Sequence, residues 1–267
     1  MATRPRNLLG FIAFFAAAVA TWRLAIAAST HWGSTPLQRH AVFAALVCAT
    51  TIALVALALR LHGQGPRWLG MAKAGAFRAA ATGLLSHLVP ASIALAACLA
   101  TGMLSLSPQV PAMELLFGIL TVAALVFASE ALPEELLFRG YAWARLSGTL
   151  RTWQLIVAQA GLFVLFALLV GAVRNPLDAS FLFCFGFALG VLRAATQSLW
   201  APIAFHLAFM TAQQATGSAR ALFSVGNPEM LQTVVMAMVP FSAAIIWLHR
   251  RVDWTGGAVR KRVPEQA

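Results

Sequence analysis

Apolar runs of about 20 residues recur along the whole chain, and they constrain its fold before any other feature does. A helix needs about that many residues to cross roughly 30 Å of hydrocarbon, where the backbone must satisfy its own hydrogen bonds. Eight such runs are read, at 8–28, 41–61, 79–104, 112–132, 154–173, 177–196, 199–216 and 230–248. The sequence is 60% hydrophobic and 10% charged, which excludes an ordinary water-soluble domain. The expectation is an all-α polytopic membrane protein of eight transmembrane helices. The first run is too long for a cleavable signal, and further runs follow it. The third carries Ser86, His87 and Pro90 and is the one where a kink is expected.

Charge placement sets the direction of threading. With the N-terminus in the cytoplasm, fifteen of the 19 Lys and Arg fall inside, among them Arg67, Arg78, Arg193, Arg250 and Arg251. Arg23, Arg39, Arg174 and Arg220 fall outside. This predicts both termini in the cytoplasm. The net charge of +11 then reads as a topology signal and as attraction to anionic headgroups, with the lipid bilayer and not nucleic acid as partner. Trp22, Trp32, Trp68, Trp153, Trp200, Trp247 and Trp254 sit near proposed span ends, as an interfacial belt does. Between the second and third spans, Gly63 to Gly70 breaks the helix, and Trp68 to Arg78 is expected to lie in the headgroup layer. Cys48, Cys98 and Cys184 lie inside spans without metal-type spacing and read as small buried residues. The preference for Arg over Lys, together with abundant Ala, points to a bacterial plasma (inner) membrane. The chain divides into N-terminal helices (1–110), a core (111–216), and a last helix with a basic, disordered tail after Trp254 (217–267).

Acid is scarce. Of eight Asp and Glu, three (Glu130, Glu134 and Glu135) fall within six residues beside the fourth span. Charge beside hydrocarbon is costly unless paired and marks a functional candidate. Pro133 cannot donate to the carbonyl of Ser129, so the helix either kinks there or restarts. If it restarts, Glu134 and Glu135 lie in a first turn, where the positive dipole end favours carboxylates. Glu135 and Arg139 are four apart and pair on one face, while Glu134 points about 100° away. Two readings fit: a salt-bridged helix end at the interface, or a held carboxylate beside one that is free to act as a general base. His206, about 12 Å into the seventh span, shares the cytoplasmic half with Glu134. His87 reads as a histidine hydrogen-bonded between helices. Gln159 is the one polar side chain inside the fifth span, and Gly186 with Gly190 on the sixth permits close packing.

Glu134-Glu135-x-x-x-Arg139 followed by Gly140 resembles the first motif of the CAAX protease and bacteriocin-processing (Abi) family of intramembrane proteases. Phe185 to Arg193, then Ser198 to Ile203 with His206, resembles that family's later motif region. The similarity covers about 112–216. The resemblance implies peptide-bond hydrolysis within the membrane, on a membrane protein or peptide substrate. It makes Glu134 the water-activating glutamate, Glu135 and Arg139 the rest of the first motif, and His206 the oxyanion histidine. Two positions depart from the pattern. Where the second motif has a histidine, Phe166-x-x-x-Val170 ends in valine, and no His lies between His87 and His206. Where the last motif has an asparagine, Met210 follows His206.

Valine neither accepts a proton nor binds a metal, and a thioether is a weak acceptor. No cofactor is certain; a divalent metal is possible, but its ligand set of Glu134, Glu135 and His206 is incomplete. His87 and Gln213 are the candidates to compensate. The expected function is therefore an intramembrane CAAX-type endopeptidase using Glu134-activated water. The alternative is a degenerate member that binds a membrane protein, peptide or lipid without cutting it. A proton-relay transporter has less support, because no matching pair of broken helices marks a transport site.

Overall fold

The computed structural model of the chain describes residues 5–256. Its long helices are α1 (Pro5–Trp32), α2 (Pro36–Leu61), α3 (Ala76–Ala100), α4 (Ala112–Leu146), α5 (Thr152–Val170), α6 (Pro176–Thr196), α7 (Trp200–Thr216) and α8 (Met230–Arg251). Seven are long and apolar enough to cross a membrane; α7, at 17 residues, is the shortest and is packed on several sides. Strand is confined, among the described residues, to Leu106–Pro108 and Phe223–Val225. These pair antiparallel, with Leu106 opposite Val225. The protein is an all-α, multi-pass membrane protein.

Local sequence explains where several helices begin and end. The Thr35 side chain accepts from the Gln38 N–H while the Gln38 side chain reaches back to the Thr35 N–H, with Pro36 in the first turn of α2. Asn175 caps α6 by accepting from the Asp178 N–H. Gly171, with φ 85°, ends α5 in the left-handed region that favours glycine.

α3 packs most closely on α7, α5 on α6, and α1 on α2. The first contact depends on Gly83, where a Cβ would overlap the backbone carbonyl of Ala201. The second depends on Gly186, whose Cβ would stand 3.2 Å from the Ala160 Cα. Phe138, Phe163, Phe185, Phe205, Phe209 and Phe241 fill the centre, with Phe138 and Phe163 edge to face at 5.1 Å. Leu24, Phe117 and Ile246 face outward, as residues that meet lipid do.

Hydrogen bonds between connections define two faces. On one, the Leu199 N–H donates to the Gly70 carbonyl at 3.0 Å, and the Trp153 N–H to the Trp254 carbonyl at 3.2 Å. On the other, the Gln109 N–H donates to Leu222 and the Gly226 N–H to Ser105, both at 2.9 Å. The helices alternate in direction between these faces.

The main difference from the sequence reading lies in α4. The span expected to end at 132 runs on to Leu146, 35 residues in all, and does not restart at Pro133. It widens into π-helical turns over Phe127–Ala131 and Leu136–Ala142, around a short α segment Leu132–Glu135. The Leu132 N–H already reaches back five residues to the Phe127 carbonyl. The hydrogen-bond register has thus shifted when the proline arrives, and its missing N–H does not end the helix. α8 repeats the device: a π-helical stretch Met230–Met238 precedes Pro240, and the Val239 N–H donates to Val234. Glu134 and Glu135 are therefore interior to a helix, and the first-turn dipole argument does not apply to them.

Smaller differences follow from packing. Trp68 to Arg78 forms no surface-lying helix. It is a short 3-10 turn, Pro66–Leu69, with Leu69 buried, followed by the start of α3. Trp22 is no belt residue: it is buried in α1 with its indole N–H donating to Thr51 Oγ1 at 3.4 Å. α3 continues as helix through Pro90. Cys184 is exposed on α6, not buried. Nearly all of the basic tail expected after Trp254 lies outside the described residues.

Candidate active site

The acids of α4 meet α5, α6 and α7 at the centre of the bundle. Glu135 and Arg139 are fully buried and paired, with Arg139 Nη1 donating to Glu135 Oε1 at 3.1 Å. The same guanidinium donates through Nη2 to the Gly186 carbonyl at 3.0 Å and lies over the Phe163 ring, 5.0 Å from its centroid. Gln159 also donates to the Gly186 carbonyl, at 2.8 Å. Gly186 thus serves twice: its missing side chain admits α5, and its carbonyl takes two hydrogen bonds. The lone polar residue of α5 has its explanation here, because a buried amide in hydrocarbon needs partners.

His206 stands between the two carboxylates. Its Nδ1 is 3.0 Å from Glu135 Oε1, and its Nε2 is 3.8 Å from Glu134 Oε2. The short contact fixes the ring. With Nδ1–H donating to Glu135, Nε2 is left facing Glu134, the carboxylate–histidine arrangement that sets tautomer and aim. Phe185 packs edge to face on the imidazole at 4.8 Å. Glu134, 14% exposed at its side chain, turns away from the ion pair into a cavity of about 370 Å³. Glu130, Phe163, Met210 and Gln213 line the same cavity, as does His206. All four residues expected at the site are therefore together: Glu135, Arg139 and His206 in one hydrogen-bonded chain, and Glu134 at its open end.

Other expected positions are elsewhere. Val170 is the last residue of α5 and does not line the cavity; α5 contributes Phe163, about two turns earlier. From α5 the cavity thus receives an apolar ring and no proton acceptor. His87 is fully buried away from the cavity, its Nε2 held 3.0 Å from the Met236 carbonyl and its ring against Phe205 and Phe209. It fastens α3 to the π-helical part of α8 and compensates for nothing. Gln213 does line the cavity, but its Nε2 donates to the Gln232 carbonyl at 3.1 Å.

Glu130 went unassigned in the sequence, although it lies one turn before Glu134. Its Oε1 accepts from Gln214 Nε2 at 2.7 Å, and it lines both the Glu134 cavity and an open pocket beside Ser29, Arg39 and His40. Among the described residues, no group of three or more His, Cys, Asp or Glu side chains is placed to hold a metal ion. Glu135 Oε1 is already taken by Arg139 and His206. The donor set does not fit a resident metal, and no step is routed through one.

A buried carboxylate–imidazole chain ending in a carboxylate on a cavity, inside a multi-pass helical membrane protein, defines a class of intramembrane site. Residues 115–212 match the family model described as Type II CAAX prenyl endopeptidase Rce1-like. That segment holds the motifs that resemble the CAAX protease family, and the match agrees with the resemblance. No curated protein and no solved structure matches the chain.

Proposed function

We infer that the protein is an endopeptidase that hydrolyses a peptide bond within the membrane with water activated by Glu134. The observation that carries this reading is the Glu134 carboxylate on the cavity wall with His206 Nε2 3.8 Å away. That gap is too long for a direct hydrogen bond and leaves room for a reacting oxygen between the two groups. Glu134 takes a proton from water as its oxygen attacks the scissile carbonyl carbon, then delivers that proton to the leaving amine nitrogen. A protonated His206, held through Nδ1 by Glu135, directs Nε2–H at the oxyanion. Arg139 offsets the charge of Glu135 and keeps that carboxylate in place. Residues 111–216 form the catalytic core in this reading. Both termini face the cytoplasm of a bacterium, as the distribution of Lys and Arg supports.

The test is cleavage of prenylated and unprenylated peptides by the reconstituted protein beside its Glu134→Ala variant. Products formed by the wild type alone are expected. Equal cleavage by both, or none by either, would refute the reading.

A second reading, binding without cleavage, is favoured by Val170 and Met210. Neither supplies the proton acceptor or amide donor that the resemblance implies at those places. It predicts that peptide is retained intact by wild type and Glu134→Ala alike and is lost in Met210→Trp, which fills the cavity.

A further inference from the structure

On the face where Gly70 meets Leu199, a second pocket of about 430 Å³ is built from four separate parts of the chain. Arg67 comes from the short turn after α2, Arg78 and Thr82 from the start of α3, Thr196 and Ser198 from the α6–α7 connection, and Arg251 from the end of α8. Among the described residues, no Asp or Glu lines it. Arg78 and Arg251 bring two guanidiniums from separate helices to this cavity, and an anion placed between them offsets their mutual repulsion and accepts from their N–H groups.

The cavity has a further donor wall. α3 presents Gly75, Arg78, Ala79 and Thr82 to it, which is one face of its first two turns. This 25-residue helix begins at Gly75 with no side-chain cap and no acidic residue in its first turn. The positive end of its dipole is thus left for a ligand.

The surroundings indicate where the anion comes from. Trp200 donates its indole N–H to the Ala72 carbonyl at 3.3 Å, and Trp247 carries Arg251 over its ring at 5.0 Å. These rings mark the headgroup level. The volume lies within the range of small-molecule sites.

We propose that this pocket binds a phosphate-bearing anion, with an anionic phospholipid headgroup as the source that its tryptophan neighbours favour over free phosphate. The site is separate from the Glu134 cavity, with which it shares no lining residue.

The experiment is calorimetric titration of the full chain, in neutral detergent micelles, with short-chain phosphatidylglycerol, short-chain phosphatidylcholine and inorganic phosphate. Phosphatidylglycerol is expected to bind, and Arg78→Gln/Arg251→Gln to weaken it by roughly thirtyfold, at about fivefold per guanidinium beside a charged surface. Ala74→Trp, which keeps every arginine and narrows the cavity, is expected to weaken it similarly. Arg60→Gln/Arg250→Gln removes the same charge from the same face outside the pocket and is expected to change affinity less than about twofold. Inorganic phosphate binding as tightly as the lipid, with the same losses, would make free phosphate the ligand. Three outcomes would overturn the proposal: equal binding of the zwitterionic lipid, unchanged affinity in the pocket variants, or an equal loss in the Arg60/Arg250 control.

Discussion

Replacing Arg139 by leucine isolates what the buried ion pair contributes. Arg139 and Glu135 are both fully buried, so the substitution strands a carboxylate where water cannot reach it. Removing one partner of such a pair costs about 3–5 kcal/mol. Other losses are smaller. The Gly186 carbonyl keeps its bond from Gln159, and the contact with Phe163 is worth about 1–2 kcal/mol. The double variant Glu135→Gln/Arg139→Leu removes the stranded charge while an amide oxygen still accepts from His206 Nδ1. It is expected to be only about 1–2 kcal/mol less stable than wild type, recovering about 2–3 kcal/mol of what Arg139→Leu alone loses. Equilibrium unfolding in mixed micelles, followed by tryptophan fluorescence, measures all four corners of the cycle. A single variant costing less than about 1 kcal/mol, or a double variant as unstable as the single one, would refute the account of Arg139 as the counter-ion of Glu135.

Phe163→His should raise peptide cleavage by at least tenfold, and Val170→His should leave it unchanged, because only position 163 lines the cavity with Glu134; a product assay on the purified variants decides between them. His206→Ala should lower turnover by about 10²–10³, the value of one oxyanion donor, with KM little changed. Gly83→Leu should destabilise the bundle by about 1–3 kcal/mol or prevent folding, since α3 and α7 touch backbone to backbone there; thermal unfolding reports the shift. Gln159→Leu should cost about 1–3 kcal/mol by removing a buried donor to Gly186 without removing cleavage, as unfolding and product assays on one sample would show.

The fold class was legible because hydrocarbon imposes a simple rule of length and polarity, and apolar runs obey it. The ion pair was legible too: Glu135 and Arg139 are four positions apart, and no acid other than Glu134 and Glu135 is near enough in sequence to compete. What spacing missed is governed by depth. Phe166-x-x-x-Val170 aligns with the motif by pattern but lies too far along the span to meet Glu134 without tilt, and the helix brings Phe163, not Val170, to the cavity with Glu134. Pro133 misled for a related reason, because a proline breaks an α register but is tolerated after a π-helical turn. Nothing local in Phe127 to Ala131 announces that turn. Glu130 and Gln159 carried a signal, a polar side chain alone in an apolar span, but their partners Gln214 and Gly186 lie 84 and 27 residues away and are revealed only by the packing.

The π-helical turns make α4 sensitive to chain length in a way that substitutions do not reveal. Over Leu136–Ala142 the helix holds more residues per turn than an α-helix, so its phase depends on how many residues the turn contains. Deleting one residue between Leu136 and Phe138 leaves a perfectly good helix by composition. It nevertheless shortens the spacing of Glu135 and Arg139 from four to three and shifts the guanidinium from its two acceptors, Glu135 Oε1 and the Gly186 carbonyl. A library of single-residue deletions across α4 should therefore tolerate losses before Val126 better than losses between the carboxylates and Arg139, even where each deleted residue is an interchangeable leucine.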